Sequence, residues 1–316
     1  MRRFLFAIAA ALAAVLLLAL SGAAFGHSPR ELLSTLLAGS IGSRFALEGT
    51  LFKSVPLLLT GLAVAIAFRA GVWNIGAEGQ FIAGAIAALV ASPLGLVPAL
   101  LASMLAGAAW ASMATAMRLW RNAPEVLTTI LLNFIAIHFL GWCVNGPLRE
   151  RAAMYPQTDA AAVELPRYGG LAIAIGAALA AWWLLYRTTE GLRLRATGFN
   201  PFASQWAGID VRKQLARAMA FSGAAAGLAG GIELLAVTHR LFERFAAGYG
   251  YSGIAVALLA QLHPLATIVS ALFFGALVTG AGDLQRSANI SASVATLGQA
   301  VVILVLIGIE HVRARR

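Results

Sequence analysis

Long apolar runs alternate with short polar breaks along this chain, and the runs carry its architecture. About 20 apolar residues cross a bilayer as a helix. With shorter runs tolerated, the pattern predicts ten membrane segments, near residues 4–24, 54–70, 80–94, 96–117, 127–145, 169–187, 215–239, 252–263, 264–281 and 294–310. The predicted fold is all-α, a single polytopic membrane domain over 1–316. Hydrophilic stretches fall at 27–53, 146–168 and 188–213. With the first helix set aside, 54–145 and 215–310 make two groups of four that start from opposite sides, with the 169–187 helix between them. That is the arrangement of inverted-topology repeats. It rests on topology, since no residue-level repeat is evident.

Composition agrees with a bilayer as solvent. The 316 residues are 60% hydrophobic and 11% charged, whereas soluble domains carry roughly 25% charged residues. The 32 glycines suit close helix approach in lipid. A net charge of +10 would suggest nucleic acid in a soluble protein. Here 14 of the 23 Lys and Arg fall on one side of the predicted topology. That excess marks the cytoplasmic side, so the basicity reports orientation and no nucleic-acid partner is expected. Both termini and 188–213 are then cytoplasmic, while 27–53 and 146–168 lie outside. Arg2-Arg3 followed by Phe4–Leu20 resembles a secretory signal, but the apolar core exceeds the usual ~7–15 residues. It is read as a retained first helix. The single cysteine, Cys143, has no disulfide or metal partner and reads as a small buried hydrophobe.

Polar residues inside apolar runs carry the candidate chemistry. Gly71–Gln80 should break or unwind a helix, because Gly71, Gly76 and Gly79 free the backbone. Trp73 offers a stacking face, and Asn74, Glu78 and Gln80 offer hydrogen-bonding groups. Freed backbone and polar groups at membrane depth line substrate paths in broken-helix transporters. The alternative is a loop in which Glu78 caps a helix. Thr129 and Asn133 share a helical face. Asn133 either bonds a solute or joins two helices, as His138 is expected to do. Gly223, Gly227 and Gly231 form a small-residue seam. Glu233 follows it and either borders the path or pairs with Arg240. Asn200, Pro201 and Gly208 mark the N-cap, first turn and C′ position of a short helix. Its Phe202 and Trp206 share one face, behind Arg193 and Arg195. Such a helix suits docking into another protein, or else lies on the membrane surface.

A P-loop needs Gly directly before Lys. The only lysines follow Phe52 and Arg212, so this chain binds no ATP through such a loop, and no metal spacing is present. Gly250-Tyr251-Ser252-Gly253, with His239 or His263, resembles the nucleophile motif of intramembrane serine proteases. That remains a remote alternative.

Three motifs stand in order: Asn74-Ile75-Gly76-Ala77-Glu78-Gly79-Gln80, then Glu125 through Asn133, then Gly191-Leu192-Arg193-Leu194-Arg195-Ala196-Thr197-Gly198 running into Asn200-Pro201 and Ala207-Gly208-Ile209. Over roughly residues 50–310 the chain resembles the permease subunits of bacterial ABC importers of the branched-chain amino acid, simple sugar and nucleoside group, the general nucleoside permeases above all. Phe199 and Pro124 depart from the family's usual polar residues on the cytoplasmic side. The resemblance implies an inner-membrane location and a small-molecule solute. It implies a cytoplasmic ABC ATPase that uses ATP, a second related permease, and a periplasmic or lipid-anchored solute-binding protein. No cofactor is expected in this chain. A proton-coupled secondary transporter using Glu78 or Glu233 is the competing reading.

Overall fold

A computed structural model of the chain describes residues 28–288. Eleven α-helices lie within them: α1 Pro29–Ile41, α2 Arg44–Arg69, α3 Ala77–Ala91, α4 Leu96–Arg121, α5 Glu125–Asn145, α6 Gly169–Arg187, α7 Thr189–Phe199, α8 Pro201–Trp206, α9 Val211–Glu233, α10 Tyr249–Leu259 and α11 Ala266–Ala288. A 3₁₀ turn, Ser92–Leu94, extends α3, and one π-helical turn, Leu234–Thr238, extends α9. Seven of these helices are long and apolar enough to cross a membrane: α2, α3 with its turn, α4, α5, α6, α9 with its turn, and α11. The predicted spans at 4–24 and 294–310 lie outside the described residues.

Two boundaries differ from the sequence expectation. The first ten residues of α2 come from the stretch expected to be hydrophilic. Ser43 caps them by accepting the Ala46 N–H at 3.1 Å. The charges there stay at the helix surface, where Glu48 meets Arg44, Arg167 and the Tyr168 hydroxyl. Most of the rest of 27–53 is α1, capped by Ser28. The segment expected to span at 252–263 is α10, eleven residues long. At 1.5 Å per residue it covers about 16 Å, half of an apolar core, so it does not span alone.

α9 sits at the centre and packs on α2, α3 and α4. Two apolar helices gain nothing from hydrophobicity in lipid, so close backbone approach must hold them. The glycine seam provides it. A Cβ on Gly227 would overlap the backbone of Gly107 and Ser103 in α4, and one on Gly84 in α3 would overlap Gly227 itself. α10 runs beside α2 in the same direction, with Thr60 near Gly253 and Gly61 near Val256. α3 runs beside α9 likewise, with Gly84 at Gly227 and Ala88 at Gly231. Arg69, Arg121, Arg187 and Arg193 mark one end of the bundle, where α2, α4 and α6 finish and α7 lies.

Candidate functional site

The break after α2 turns at Gly71, whose φ of +77° suits glycine, and then sinks into the protein. Asn74 is wholly buried. Its side-chain amide pairs reciprocally with that of Gln80, each donating to the other at 3.0 Å. Asn74 Nδ2 also donates to Ser222 Oγ at 2.8 Å, and its Oδ1 accepts the Gly76 N–H at 2.9 Å. Ser222 in turn donates to the Ala63 carbonyl at 2.6 Å. Asn133 of α5 clamps the same segment from outside. Its Oδ1 accepts the Gly79 N–H at 2.8 Å and its Nδ2 donates to the Ile75 carbonyl at 2.9 Å and to the Tyr251 hydroxyl at 3.2 Å. Thr129 Oγ1 accepts the Ile75 N–H at 3.4 Å. The break is therefore fixed to α2, α5 and α9, with the buried amides of Asn74, Gln80 and Asn133 each meeting partners as a low-dielectric interior requires.

Glu78 lies in the first turn of α3 and caps a different helix. Its carboxylate accepts the Gly248 N–H at 2.9 Å and the Gly250 N–H at 2.6 Å, the open amides at the start of α10. Two helix N-termini thus meet at one carboxylate, and each contributes positive dipole to it. The approach needs glycine: a Cβ on Gly250 would overlap the Glu78 backbone. The capping role expected of Glu78 is played at the start of α10 rather than on its own helix.

Glu233 ends α9, buried at 4% exposure. The pairing with Arg240 that sequence left open does not form, because Arg240 bonds Glu150. Lys53 is the cation close enough to act on Glu233. Lys53 donates to the Tyr249 hydroxyl at 2.9 Å. Trp73 is not drawn into the buried network; it stands 57% exposed against Phe68, ring centroids 4.8 Å apart.

The 188–213 stretch is helical. Asn200 caps α8 by accepting the Ala203 N–H at 3.0 Å, and Gly208 ends it at φ +78°. Phe202 and Trp206 meet edge to face and stay 70% and 79% exposed. Arg193 pairs with Glu190 at 2.7 Å and Arg195 lies over the Tyr186 ring. Gln214, then Arg217 and Arg193, bond the Glu190 carboxylate and hold it below the usual carboxylate range. α7 rests directly on the break: a Cβ on Gly198 would overlap the Arg69 carbonyl, and Gly71 faces Gly198. Arg69 donates to the Gln261 and Leu262 carbonyls at 2.9 and 3.1 Å, beyond the last turn of α10.

Sequence reasoning took Ser222 only as part of a helix seam and passed over Lys53 and Tyr249. The signal for α10 lay in Gly248 and Gly250, of which sequence reasoning weighed only Gly250, within the 250–253 motif. Ser252 sits in the first turn of α10, while His263 stacks on Tyr186 beyond the far end, past about 10 Å of intervening helix. That separation does not make a Ser–His pair.

A multi-pass helical bundle whose interrupted helices meet at a buried polar centre is a membrane protein built around a solute path. The chain belongs to the family of permease components of branched-chain amino acid transport systems, whose model matches residues 46–309, and is a permease subunit of an ABC importer. It is 32% identical to the guanosine ABC transporter permease protein NupP of Bacillus subtilis, over 88% of this chain and 86% of the relative. It is 30% identical to the glucose ABC transporter permease protein TsgB13 of Haloferax volcanii, over 93% and 84%. It is also 30% identical to the nucleoside ABC transporter permease protein NupB of Lactococcus lactis, over 83% and 79%. No solved structure matches. Subunits of this family move solute and work with ATPase and binding-protein partners, so neither the protease nor the secondary-transporter alternative is retained.

Proposed function

We propose that this chain carries a nucleoside, or a related neutral polar solute, inward across the bacterial inner membrane, driven by ATP hydrolysis in a partner. The observation that carries the reading is the junction of α3 and α10 at Glu78, placed on a chain whose relatives include permeases named for guanosine and nucleosides. Asn74, Gln80 and Asn133 hold the break that borders the path, Glu78 pins it to α10, Trp73 flanks it, and Glu233 borders its other half. α8 docks on the cytoplasmic ATPase through Phe202 and Trp206, presented by Asn200, Pro201 and Gly208, with Arg193 and Arg195 behind. A related permease completes the channel and a periplasmic or lipid-anchored binding protein delivers the solute. Both termini face the cytoplasm.

The inverted arrangement belongs to the same proposal. Exchanging α2 with α9, α3 with α10, and α4 with α11 carries two main packings onto two others: α9 against α4 answers α2 against α11, and α9 against α3 answers α2 against α10. With the segments at 4–24 and 294–310, ten spans result, α10 being a half-span. Relative motion of two such halves about the Glu78 junction would open the path to each side in turn.

The test is reconstitution in liposomes with the ATPase, second permease and binding protein encoded beside it. ATP-dependent uptake of labelled guanosine, lost when this chain is left out, is expected. Uptake abolished by a protonophore and indifferent to ATP would refute the proposal. Uptake of glucose with none of guanosine would move the solute class to sugars.

A further inference from the structure

Three polar groups lie at the end of the path away from the arginine-rich end: Glu233, and the pair Lys53 and Tyr249, which joins α2 to α10. Glu233 is 96% buried by its 4% exposure, yet its carboxylate accepts no hydrogen bond among the described residues. A buried carboxylate without partners is costly unless something arrives to satisfy it. Lys53 spends one of its three donors on the Tyr249 hydroxyl. The phenol proton of Tyr249 is given to no acceptor among the described residues. Tyr249 also stands beside Phe81, ring centroids 5.7 Å apart, and Phe81 beside Phe245 at 5.5 Å. Acceptors, donors and a flat apolar wall thus converge where α2, α9 and the start of α10 meet.

We propose that Glu233, Lys53 and Tyr249 form a solute-contact site inside the permease, and that the Glu233 carboxylate takes two adjacent donors of an uncharged solute. The inference rests on the import reading above and deepens it. The charges decide the class. One cation, Lys53, faces two carboxylates, Glu233 and the amide-bound Glu78 on either side of Tyr249, so a phosphorylated solute is repelled and a neutral one is not. A carboxylate offers two oxygens to two neighbouring donors. A nucleoside presents such a pair in two places: the ribose 2′,3′-diol and the N1–H with the 2-amino group of a guanine. Tyr249 and Lys53 supply donors to the solute's acceptors. The π-helical turn directly after Glu233 re-aims the end of α9 here, as such turns do at functional sites.

Two measurements test this. First, Glu233→Cys is built in a Cys143→Ala background, where no other thiol remains, and treated with a membrane-impermeant thiosulfonate reagent in the assembled transporter. Labelling is expected. Absence of labelling in a complex that assembles would overturn the site whether or not nucleosides are the solute. Second, uptake by Glu233→Gln is compared with wild type for guanosine, 2′,3′-dideoxyguanosine and inosine. The binding protein's preference is common to both and cancels in each ratio. Losing a charge-assisted hydrogen bond should slow guanosine uptake by about 10- to 100-fold. A loss spared for dideoxyguanosine assigns the diol; a loss spared for inosine assigns the base edge. Ratios within twofold for all solutes the wild type takes up, with glucose among those tried, would overturn the proposal. Partial rescue of guanosine uptake by Glu233→Asp, in a complex that assembles like the wild type, separates contact from folding.

Discussion

Glu78 joins the starts of α3 and α10 through a single side chain. Glu78→Ala removes the acceptor of two buried amide donors, Gly248 N–H and Gly250 N–H. Each buried donor left unmet costs about 1–3 kcal/mol, so the start of α10 should be loosened by about 2–6 kcal/mol. Removing a buried carboxylate returns part of that, which places the effect toward the lower figure. Two kcal/mol is about 30-fold in a population. The assay is thiol labelling of a single cysteine at Ala246, buried in the loop that leads into α10, in a Cys143→Ala background. Glu78→Ala should raise its labelling rate about 30-fold or more, and lower the unfolding temperature in detergent. Glu78→Gln keeps one acceptor and should fall between. Unchanged labelling in the alanine variant, within twofold, would mean that the two helix starts are held by something else and that Glu78 is no pin.

Other outcomes follow from the remaining elements. Reporter fusions after Ala196 and Ala160 should report opposite sides of the membrane, the first cytoplasmic, as the arginine asymmetry requires; the same side for both would undo the orientation. Trp206→Ala and Gly208→Pro should each weaken co-purification with the ATPase and ATP-driven uptake, because α8 loses its apolar face or its left-handed C-terminus; solute binding by the separate binding protein should not change. Gly227→Leu should abolish folding or insertion, since even a Cβ there overlaps the Gly107 and Ser103 backbones; a fully assembled variant would show that the seam has slack. Glu190, held low by Gln214 and the two arginines, is charged in the fold at neutral pH. A depressed carboxylate contributes above its ordinary pKa and loses that contribution as pH falls through its lowered value. The α7–α9 tether should therefore be indifferent to pH between about 5 and 8 and loosen only in stronger acid, read by labelling of a cysteine placed at Ser204.

The spans were legible in the sequence wherever an apolar run is bounded by residues with a local reason to stop. Asn200, Pro201 and Gly208 each did the job their chemistry fits, and α8 came out within a residue of its predicted bounds. The run at 54–70 was placed ten residues late because Arg44, Glu48 and Lys53 read as loop. Arg44 pairs with Glu48 within the helix, but the partners that place Glu48 and Lys53, namely Arg167, Tyr168 and Tyr249, are 119 to 196 residues away. No window along the chain contains that information. The same limit applied at the site. The polar break was plain from Gly71 to Gln80, but the reason it is stable was not. Ser222 lies 148 residues from Asn74 and Gly250 lies 172 from Glu78.

That division has a physical sense. A broken helix in lipid must have its open amides and carbonyls answered from elsewhere in the protein, so the break is visible locally and its answer never is. Here the answers come from four elements, α5, α9, α10 and α7, and they do not bear equally on motion. Asn133 and Ser222 tie the break to helices of its own neighbourhood. Glu78 ties it to α10, which packs along α2, and Gly198 ties it to α7, which leads straight into α8. A displacement of α8 therefore reaches the break through backbone contact at Gly198 and Gly71, with no flexible side chain between them. From there it reaches α10 through the Glu78 carboxylate, and past its far end through Arg69 on the Gln261 and Leu262 carbonyls. Gly198→Ala tests this order of events: a methyl forced against the Arg69 carbonyl should break the relay while leaving Trp206 free to dock. ATPase activity should persist in the assembled complex while uptake falls at least severalfold. If uptake and ATPase activity fell together with loss of assembly, Gly198 would be a packing residue of α7 and the relay would have to run through α9.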